Sequence, residues 1–211
     1  MRDRRTQIID AAAALIRRNG YTQTSVEDVI REARLCGKGH FYHYFKSKEA
    51  LGYAVLQRQF ELFAERGLSI LREPMTDPLD RLNRFIDAVV AAQAERGCPD
   101  GCPFANLAGE MADVHEGFRR QIETVFERWT EQTQALLWEA RPRLADGVDI
   151  GRLARFIVAT LEGAMLMARV RRETGTLEGI ADDLKRFVAM HVREPVGAAP
   201  APAAGVAAGA A

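Results

Sequence analysis

The sequence predicts an all-α protein of about nine helices. Over most of the 211 residues, apolar side chains recur three and four positions apart, which is the periodicity of an amphipathic helix. No segment alternates apolar and polar residues regularly enough to predict a β-strand. Capping residues and helix-breaking Gly and Pro residues divide the periodic pattern into separate helices.

Start and stop signals define each predicted helix in turn. The first helix ends at Gly20, and the second begins after Thr24 or Ser25, either of which could cap it. Gly97 and Gly175 are interpreted as the stops of the fifth and eighth helices. The third to ninth helices are expected at about residues 38–44, 48–71, 78–96, 104–112, 116–140, 150–172 and 177–192.

The net charge is zero, but it is unevenly distributed along the chain. Residues 1–48 contain ten Lys or Arg residues against five Asp or Glu residues, whereas residues 49–211 contain nineteen against twenty-four. A basic segment of this kind favours a polyanionic partner such as nucleic acid. A solvated basic face without a partner is the alternative, which charge by itself leaves open.

The composition disfavours several classes of protein. No apolar run is long enough to cross a membrane, and the amino-terminal residues lack the apolar centre of a secretory signal. Three cysteines, an odd number, argue against a disulfide framework, so we expect a cytoplasmic protein. Because the sequence has no nucleophile–base motif, Gly-rich phosphate loop or set of metal ligands, we expect neither enzymatic activity nor a cofactor or metal.

The second and third helices have the properties of a helix-turn-helix, whose second helix lies in the major groove of DNA. Phe41, Tyr44 and Phe45 recur at helical spacing and would pack the third helix against its neighbours, leaving Tyr42 and His43 pointing outward. The leading end of the helix carries small or polar residues that let the backbone approach DNA: Cys36, Gly37, Lys38, Gly39 and His40.

This segment resembles the DNA-binding domain of the TetR/AcrR family of transcriptional regulators, most specifically in the run FYHYFKSKEAL at residues 41–51. The resemblance is strong over about residues 5–55 and rests on helix order and size elsewhere. The turn between Ala33 and Phe41 is one residue longer than is usual in the family. The resemblance implies a DNA-contact set with Thr24, Tyr42, His43 and Lys48 near phosphates and with Lys38, Gly39 and His40 near base edges. Ser25 is a further candidate DNA contact.

Other interpretations of these residues are open at the level of sequence. Tyr42 could be a core aromatic residue, as Tyr44 is expected to be. His40 and His43 could ligate a metal, but nothing nearby completes a set of four ligands. Lys48 could be a solvated charge.

The predicted organisation has three parts. Residues 1–48 form the DNA-binding domain, residues 49–194 a ligand-sensing and dimerisation domain, and residues 195–211 a disordered tail of Ala, Gly, Pro and Val. The family resemblance implies that a small-molecule inducer changes the spacing of the two recognition helices in a homodimer. The candidate ligand pocket is apolar, although most of its residues could equally be core: Phe60, Phe63, Leu107, Met111, Phe126, Trp129, Leu161 and Met165.

Cys102 is a candidate sensor. It directly precedes Pro103, the first position of a predicted helix, and free amides at a helix start lower the pKa of a thiol. Residues 101–119 are similar to a TetR-family subgroup that includes a repressor sensing N-ethylmaleimide and other electrophiles. That similarity implies a reactive Cys102, with Arg169 where the subgroup has a lysine.

Alternatives for these cysteines stay open. Cys102 could simply be a small capping residue, and Cys98 could be a resolving thiol or an inert turn residue. A metal site of Cys98, Cys102 and His115 would lack a fourth ligand. Cys36 lies near the predicted DNA surface, where its oxidation could block binding directly.

The last two helices carry more apolar residues than one core face needs, and the resemblance implies that they form a dimer interface. The predicted function is a homodimeric repressor that binds double-stranded DNA at a palindromic operator, with no membrane partner. An activator of the same family and a helical protein-interaction module without DNA binding are the alternatives.

Overall fold

The computed structural model describes residues 3–74, 76–95 and 100–193 and confirms the all-α prediction. None of the helices in these ranges is both long enough and apolar enough to span a bilayer. The principal helices, in chain order, are α1 (Arg4–Asn19), α2 (Val26–Glu32), α3 (Lys38–Tyr44), α4 (Lys48–Phe63), α5 (Pro78–Ala94), α6 (Pro103–Met111), α7 (Glu116–Glu139), α8 (Ile150–Arg171) and α9 (Gly175–Ala189).

Side-chain caps begin several helices where the sequence predicts them. Ser25, and not Thr24, caps α2: its hydroxyl oxygen accepts from the Asp28 N–H, and the Asp28 carboxylate accepts from the Ser25 N–H. Ser47 caps α4 by accepting from the Ala50 N–H. These local hydrogen bonds satisfy donors that the first turn of a helix leaves free.

The fourth helix reaches Leu71 as predicted, but it is not regular throughout. After Phe63 the chain forms a π-helical turn over Ala64–Leu68 and ends in a short α-helical turn, Ser69–Leu71. The wider turn brings Gly67 close to the Phe63 ring, where an added Cβ atom would lie 3.2 Å from the nearest ring atom.

The two predicted glycine stops have different outcomes. The prediction for Gly175 was wrong: α8 ends at Arg172, which adopts a left-handed φ of 57°, and Gly175 is the first residue of α9. Because Arg172 itself ends the helix, the chain does not need a glycine there. Gly97 lies outside the described residues, and α5 is described as far as Ala94.

The helices enclose two hydrophobic cores that share α4. The smaller core joins α1, α2 and α3, and it is completed by Leu51 and Val55 from the first turns of α4. The larger core includes later residues of α4 and fills the space between α5, α6, α7, α8 and α9. α4 therefore connects the amino-terminal helices rigidly to the rest of the protein.

Tyr21, just after α1, joins the two parts of the molecule. Its ring belongs to the larger core and meets Phe118 of α7 edge to face, with ring centroids 5.0 Å apart. Gly52 of α4 lies beneath both rings, and a Cβ atom there would come within 2.7 Å of each. The close packing requires glycine at this position, because no larger residue leaves room for the two rings.

Candidate DNA-binding surface and sensor site

The turn between α2 and α3 shows how the additional residue is accommodated. Arg34 ends α2 with a left-handed φ of 51°, and the Leu35 N–H donates to the Ile30 carbonyl. Gly37 occupies the N-cap of α3 with a φ of 147°, a conformation that side chains rarely adopt. The longer turn thus depends on a glycine immediately before the recognition helix.

α3 is held by its aromatic residues, as the sequence predicts. Phe41 and Phe45 are buried in the smaller core, and Tyr44 packs against it. Tyr42 is half exposed and His43 is exposed, so both side chains face outward. This orientation fits the expected role of Tyr42 better than the core alternative.

The leading end of α3 presents one cation and an open backbone. Lys38 is exposed and forms an ion pair with Glu27 of α2, with 2.6 Å between Nζ and Oε1. Gly39 is exposed, and no atom lies within 4 Å of the position that a Cβ atom would occupy. His40 is half-buried beside the Tyr44 ring, with centroids 5.7 Å apart.

The predicted phosphate contact from Thr24 needs correction. Its side chain is 2% exposed, and its hydroxyl donates to the Gly20 carbonyl at 2.7 Å. A hydroxyl enclosed in this way stabilises the turn between α1 and α2 and is not available to DNA. The neighbouring side chains of Thr22 and Gln23 are exposed.

The Lys48 side chain already has partners within the protein. Its ammonium group donates to the Thr22 carbonyl at 3.2 Å and lies 4.6 Å from the centre of the Tyr21 ring. Partial burial lowers the pKa of Lys48, while the nearby Glu110 carboxylate raises it. Lys48 therefore fixes the turn between α1 and α2 as well as lying beside the expected DNA surface.

Glu110 of α6 links the two parts of the protein and was not predicted. Its two carboxylate oxygens accept from the backbone N–H groups of Tyr21 at 3.0 Å and Thr22 at 2.8 Å. A second link joins Arg17 of α1 to Asp100, just before α6, at 3.0 Å. The turn between α1 and α2 is thus bound directly to a helix of the carboxy-terminal domain.

Cys102 caps α6 as predicted, but the expectation of a lowered thiol pKa was wrong. The side chain is buried, and burial raises the thiol pKa well above its ordinary value. The negative charge of Glu162 on α8 raises it further, outweighing the hydrogen bonds from the amides of α6. Cys102 is therefore a protonated thiol in this conformation.

The other predicted sensor residues do not complete a thiol pair. Arg169 is exposed and donates to the Asn106 side chain on α6, while the acid Glu162 is the charged group facing Cys102. Cys98 lies outside the described residues. Among the residues that the structure describes, no three His, Cys, Asp or Glu side chains are grouped to hold a metal.

A cavity of about 70 Å³ lies between the two parts of the protein, walled by α1, α4 and α6. Leu107 is the one predicted pocket residue that lines it; Trp129, Leu161 and Met165 are buried in the larger core. Phe60, Phe63, Met111 and Phe126 are partly buried against that core. The lining residues are Ala13, Ile16, Arg17, Val55, Leu56, Gln59, Gly101, Pro103, Phe104, Asn106, Leu107 and Glu110.

Sequence reasoning also missed two polar residues in the larger core, Glu162 and Gln93. Gln93 is 4% exposed, and Glu162 lies inside next to Cys102. One signal was available, since Glu162 is the only acidic residue in the 22 residues of α8 and follows the buried Leu161. Gln93 gave a comparable signal, since it is the one polar residue between Asp87 and Glu95.

Replacing Glu110 with Gln tests the link between the domains. The amide leaves one of the two backbone N–H groups without a carboxylate acceptor, at a cost of ~1.5 kcal/mol. We expect the Tyr21 and Thr22 amides to exchange hydrogen roughly tenfold faster. Residue-resolved hydrogen exchange measures this, with Glu123→Gln on the surface of α7 as the control. Equal protection in wild type and Glu110→Gln would show that the link contributes nothing.

The burial of Cys102 predicts slow alkylation. In the folded protein, N-ethylmaleimide should label the exposed Cys36 at least about tenfold faster than Cys102, because only the thiolate reacts. Mass spectrometry of peptides separates the cysteines, and labelling in urea provides the control for intrinsic reactivity. A Cys102 that reacts as fast as Cys36 in the native state contradicts the described burial.

Comparison with known proteins agrees with the helical architecture described above. Residues 8–55 match the model of the tetR family of bacterial regulatory proteins, and residues 78–183 match that of the LmrA/YxaF-like transcriptional regulator C-terminal domain. The chain is 26% identical over 196 residues to the HTH-type transcriptional repressor NemR of Escherichia coli K12, covering 89% of this chain and 94% of that protein.

Solved structures give the same result. A TetR transcriptional regulator from Chloroflexus aurantiacus matches with a TM-score of 0.80 at 30% identity, covering 90% of this chain and 96% of that one. The reduced form of E. coli NemR matches in fold, with a TM-score of 0.81 at 24% identity over 93% of this chain and 100% of that one. With both of its halves matched by family models, the protein belongs to the TetR family of helix-turn-helix transcriptional regulators.

Proposed function

We propose that this TetR-family regulator is a homodimeric repressor that binds a palindromic operator through α2 and α3 and is released by a small molecule. The observation that carries the proposal is the outer face of α3. Lys38, Gly39, Tyr42 and His43 are exposed there, on a helix anchored by buried phenylalanines. Such a helix presents donors to base edges and phosphates without disturbing its own packing.

The electrostatics of this surface support reversible binding. Lys38 is paired with Glu27, so it must exchange a carboxylate for a phosphate or base when DNA binds. Both side chains are exposed, and a pair of this kind contributes little to stability. The exchange therefore costs little, and Glu27 opposes DNA through its negative charge.

An uncovered apolar surface on α8 and α9 supports the homodimer. The Phe156 and Phe187 rings pack together across these helices, with centroids 4.7 Å apart, and both remain substantially exposed. A contiguous apolar surface is typical of a protein interface, and a second copy gives the two-fold symmetry that a palindrome requires. Its exposed residues are Phe156, Leu166, Met167, Val170, Phe187 and Met190.

Release follows if an inducer favours a different position of α6. Glu110 and Asp100 bind the end of α1 and the start of the next turn, so a displacement of α6 moves the helix-turn-helix. The inducer must bind the displaced conformation more tightly than the operator-binding one, because equal affinity shifts no equilibrium. We favour a non-covalent inducer over an electrophile, since the Cys102 thiol is buried and protonated.

Substitutions at Lys38 and Glu27 test the DNA surface. Lys38→Ala should weaken operator binding by roughly 1–3 kcal/mol, whereas Glu27→Gln should strengthen it by removing a charge that repels phosphate. Fluorescence anisotropy with an operator selected from random DNA measures both effects across a salt series, in which affinity should fall steeply. Arg84→Ala on α5 is the control for lost positive charge. Equal losses for Lys38→Ala and Arg84→Ala, or affinity independent of salt, would refute this surface.

A charge on the exposed apolar surface tests the homodimer. Val170→Glu should yield monomers, because dimerisation would bury an unpaired carboxylate. Light scattering coupled to size exclusion gives the mass, and operator affinity should fall with the loss of the dimer. Val114→Glu, in the exposed segment between α6 and α7, is the control and should remain dimeric. A dimeric Val170→Glu protein excludes this surface as the interface.

A further inference from the structure

α8 carries a buried acid, Glu162, that forms no ion pair with any residue that the structure describes. Both oxygens of Glu162 are buried, and neither accepts a hydrogen bond from an N–H or O–H group of the described residues. Burial raises the pKa of this carboxyl group to about 7, and the adjacent Cys102 thiol lowers it only in part. A buried acid without a cation opposes folding, so its presence in a packed core calls for a functional explanation.

Other unsatisfied polar atoms lie in the same part of the core. The Gln93 amide nitrogen donates to the Gly101 carbonyl at 3.2 Å and contacts the Met165 sulfur at 3.4 Å, while its oxygen has no partner. Gly101 precedes Cys102, and Met165 lies one helical turn after Glu162. Gln93 of α5 and Glu162 of α8 therefore both lie beside the start of α6, and together they have three oxygens without an N–H or O–H donor among the described residues.

A primary ammonium group matches this set of acceptors. It carries three N–H donors and one positive charge, so it can pair with the carboxylate and still donate to an amide oxygen. A neutral hydroxyl supplies one donor and leaves the buried charge uncompensated. Arg169, which follows Glu162 on α8, is exposed and donates to Asn106, so it does not neutralise the Glu162 carboxylate.

The cavity between the domains lies near this position, although Gln93, Cys102 and Glu162 do not line it. Its wall includes Gly101 and Pro103, the residues on either side of Cys102, together with the apolar Phe104 and Leu107. The apolar body of a ligand could lie in this cavity while its polar head group extends past the start of α6. Arg17 and Glu110 line the same cavity, so its occupant would act on the two links that hold the helix-turn-helix.

We propose that Glu162 and Gln93, beside Cys102, form the head-group site for a small organic amine with an apolar body, and that such an amine is the inducer. The inference rests on the proposed repressor function, because it names the chemical class of the molecule that releases the operator. Glu162 neutralises the ammonium group, Gln93 orients it, and the apolar body occupies the cavity against α6.

The test compares amines with their alcohols on the full-length protein. Benzylamine, 2-phenylethylamine and hexylamine are added separately while Tm is recorded, with benzyl alcohol, 2-phenylethanol and hexanol as matched neutral compounds. A ligand that binds only the folded state raises Tm in proportion to the logarithm of its concentration. We expect at least one amine to raise Tm and its alcohol to have a much smaller effect. Equal effects of amine and alcohol, or no effect of any amine, overturn the inference.

Glu162→Gln identifies the site. Without ligand this variant should be at least as stable as wild type, because the buried charge is gone, and its affinity for the active amine should fall by about tenfold or more in calorimetry. Glu131→Gln, exposed on α7, carries the same change of charge and should bind the amine like wild type. If Glu162→Gln does not fold, Gln93→Leu replaces it, with the same expected loss. Undiminished binding by the folded site variant contradicts the assignment.

Operator binding in the same preparations separates this inference from the function on which it rests. If the protein binds its selected operator and the active amine releases it, both stand. If operator binding is intact but no amine binds or releases it, the amine site is wrong and the repressor function survives. If no DNA sequence is selected, the proposed function itself fails, whatever the amines do to Tm.

Discussion

The carboxylate of Glu110 is the contact on which the arrangement of the two domains depends. It accepts from two consecutive backbone N–H groups in the turn after α1, and hydrogen bonds to an ionised acceptor are stronger than neutral ones. Gly20 makes this approach possible, because its φ of 85° suits glycine and an added Cβ atom would lie 2.9 Å from the carboxylate. The turn before α2 is therefore shaped partly by a residue on α6.

The aromatic junction reinforces the same contact. Tyr21 inserts into the larger core against Phe118, and Lys48 lies over its other side while donating to the Thr22 carbonyl. Carboxylate, ring and ammonium group thus hold adjacent residues of one short turn. Since α3 follows directly after α2, the position of the DNA surface is set by the packing of α6 and α7 as much as by its own hydrophobic core.

Polar groups in the larger core give the carboxy-terminal domain a different character from the amino-terminal one. The smaller core is formed by aliphatic and aromatic side chains. The larger core encloses Glu162 and Gln93, whose free oxygens lower stability in the absence of a partner. A ligand that supplied hydrogen-bond donors to these oxygens would raise the stability of the domain.

The sequence by itself determined the features that depend on neighbours within a few residues. The helix order, the caps at Ser47 and Cys102, and the outward direction of Tyr42 follow from local hydrogen bonding and from the spacing of apolar residues. The aromatic run of α3 was informative for the same reason, since its packing period and its family resemblance both lie within one short segment.

The tertiary structure alone decided the burial and the electrostatic environment of these residues. The capping position of Cys102 argues for a lowered thiol pKa, yet burial and the charge of Glu162 raise it, because α8 approaches α6 from far along the chain. Thr24 is only 2% exposed in the folded protein, and Glu110 reaches Tyr21 across 89 positions of sequence. Burial and long-range charge are properties of the assembled helices, which local patterns of residues do not encode.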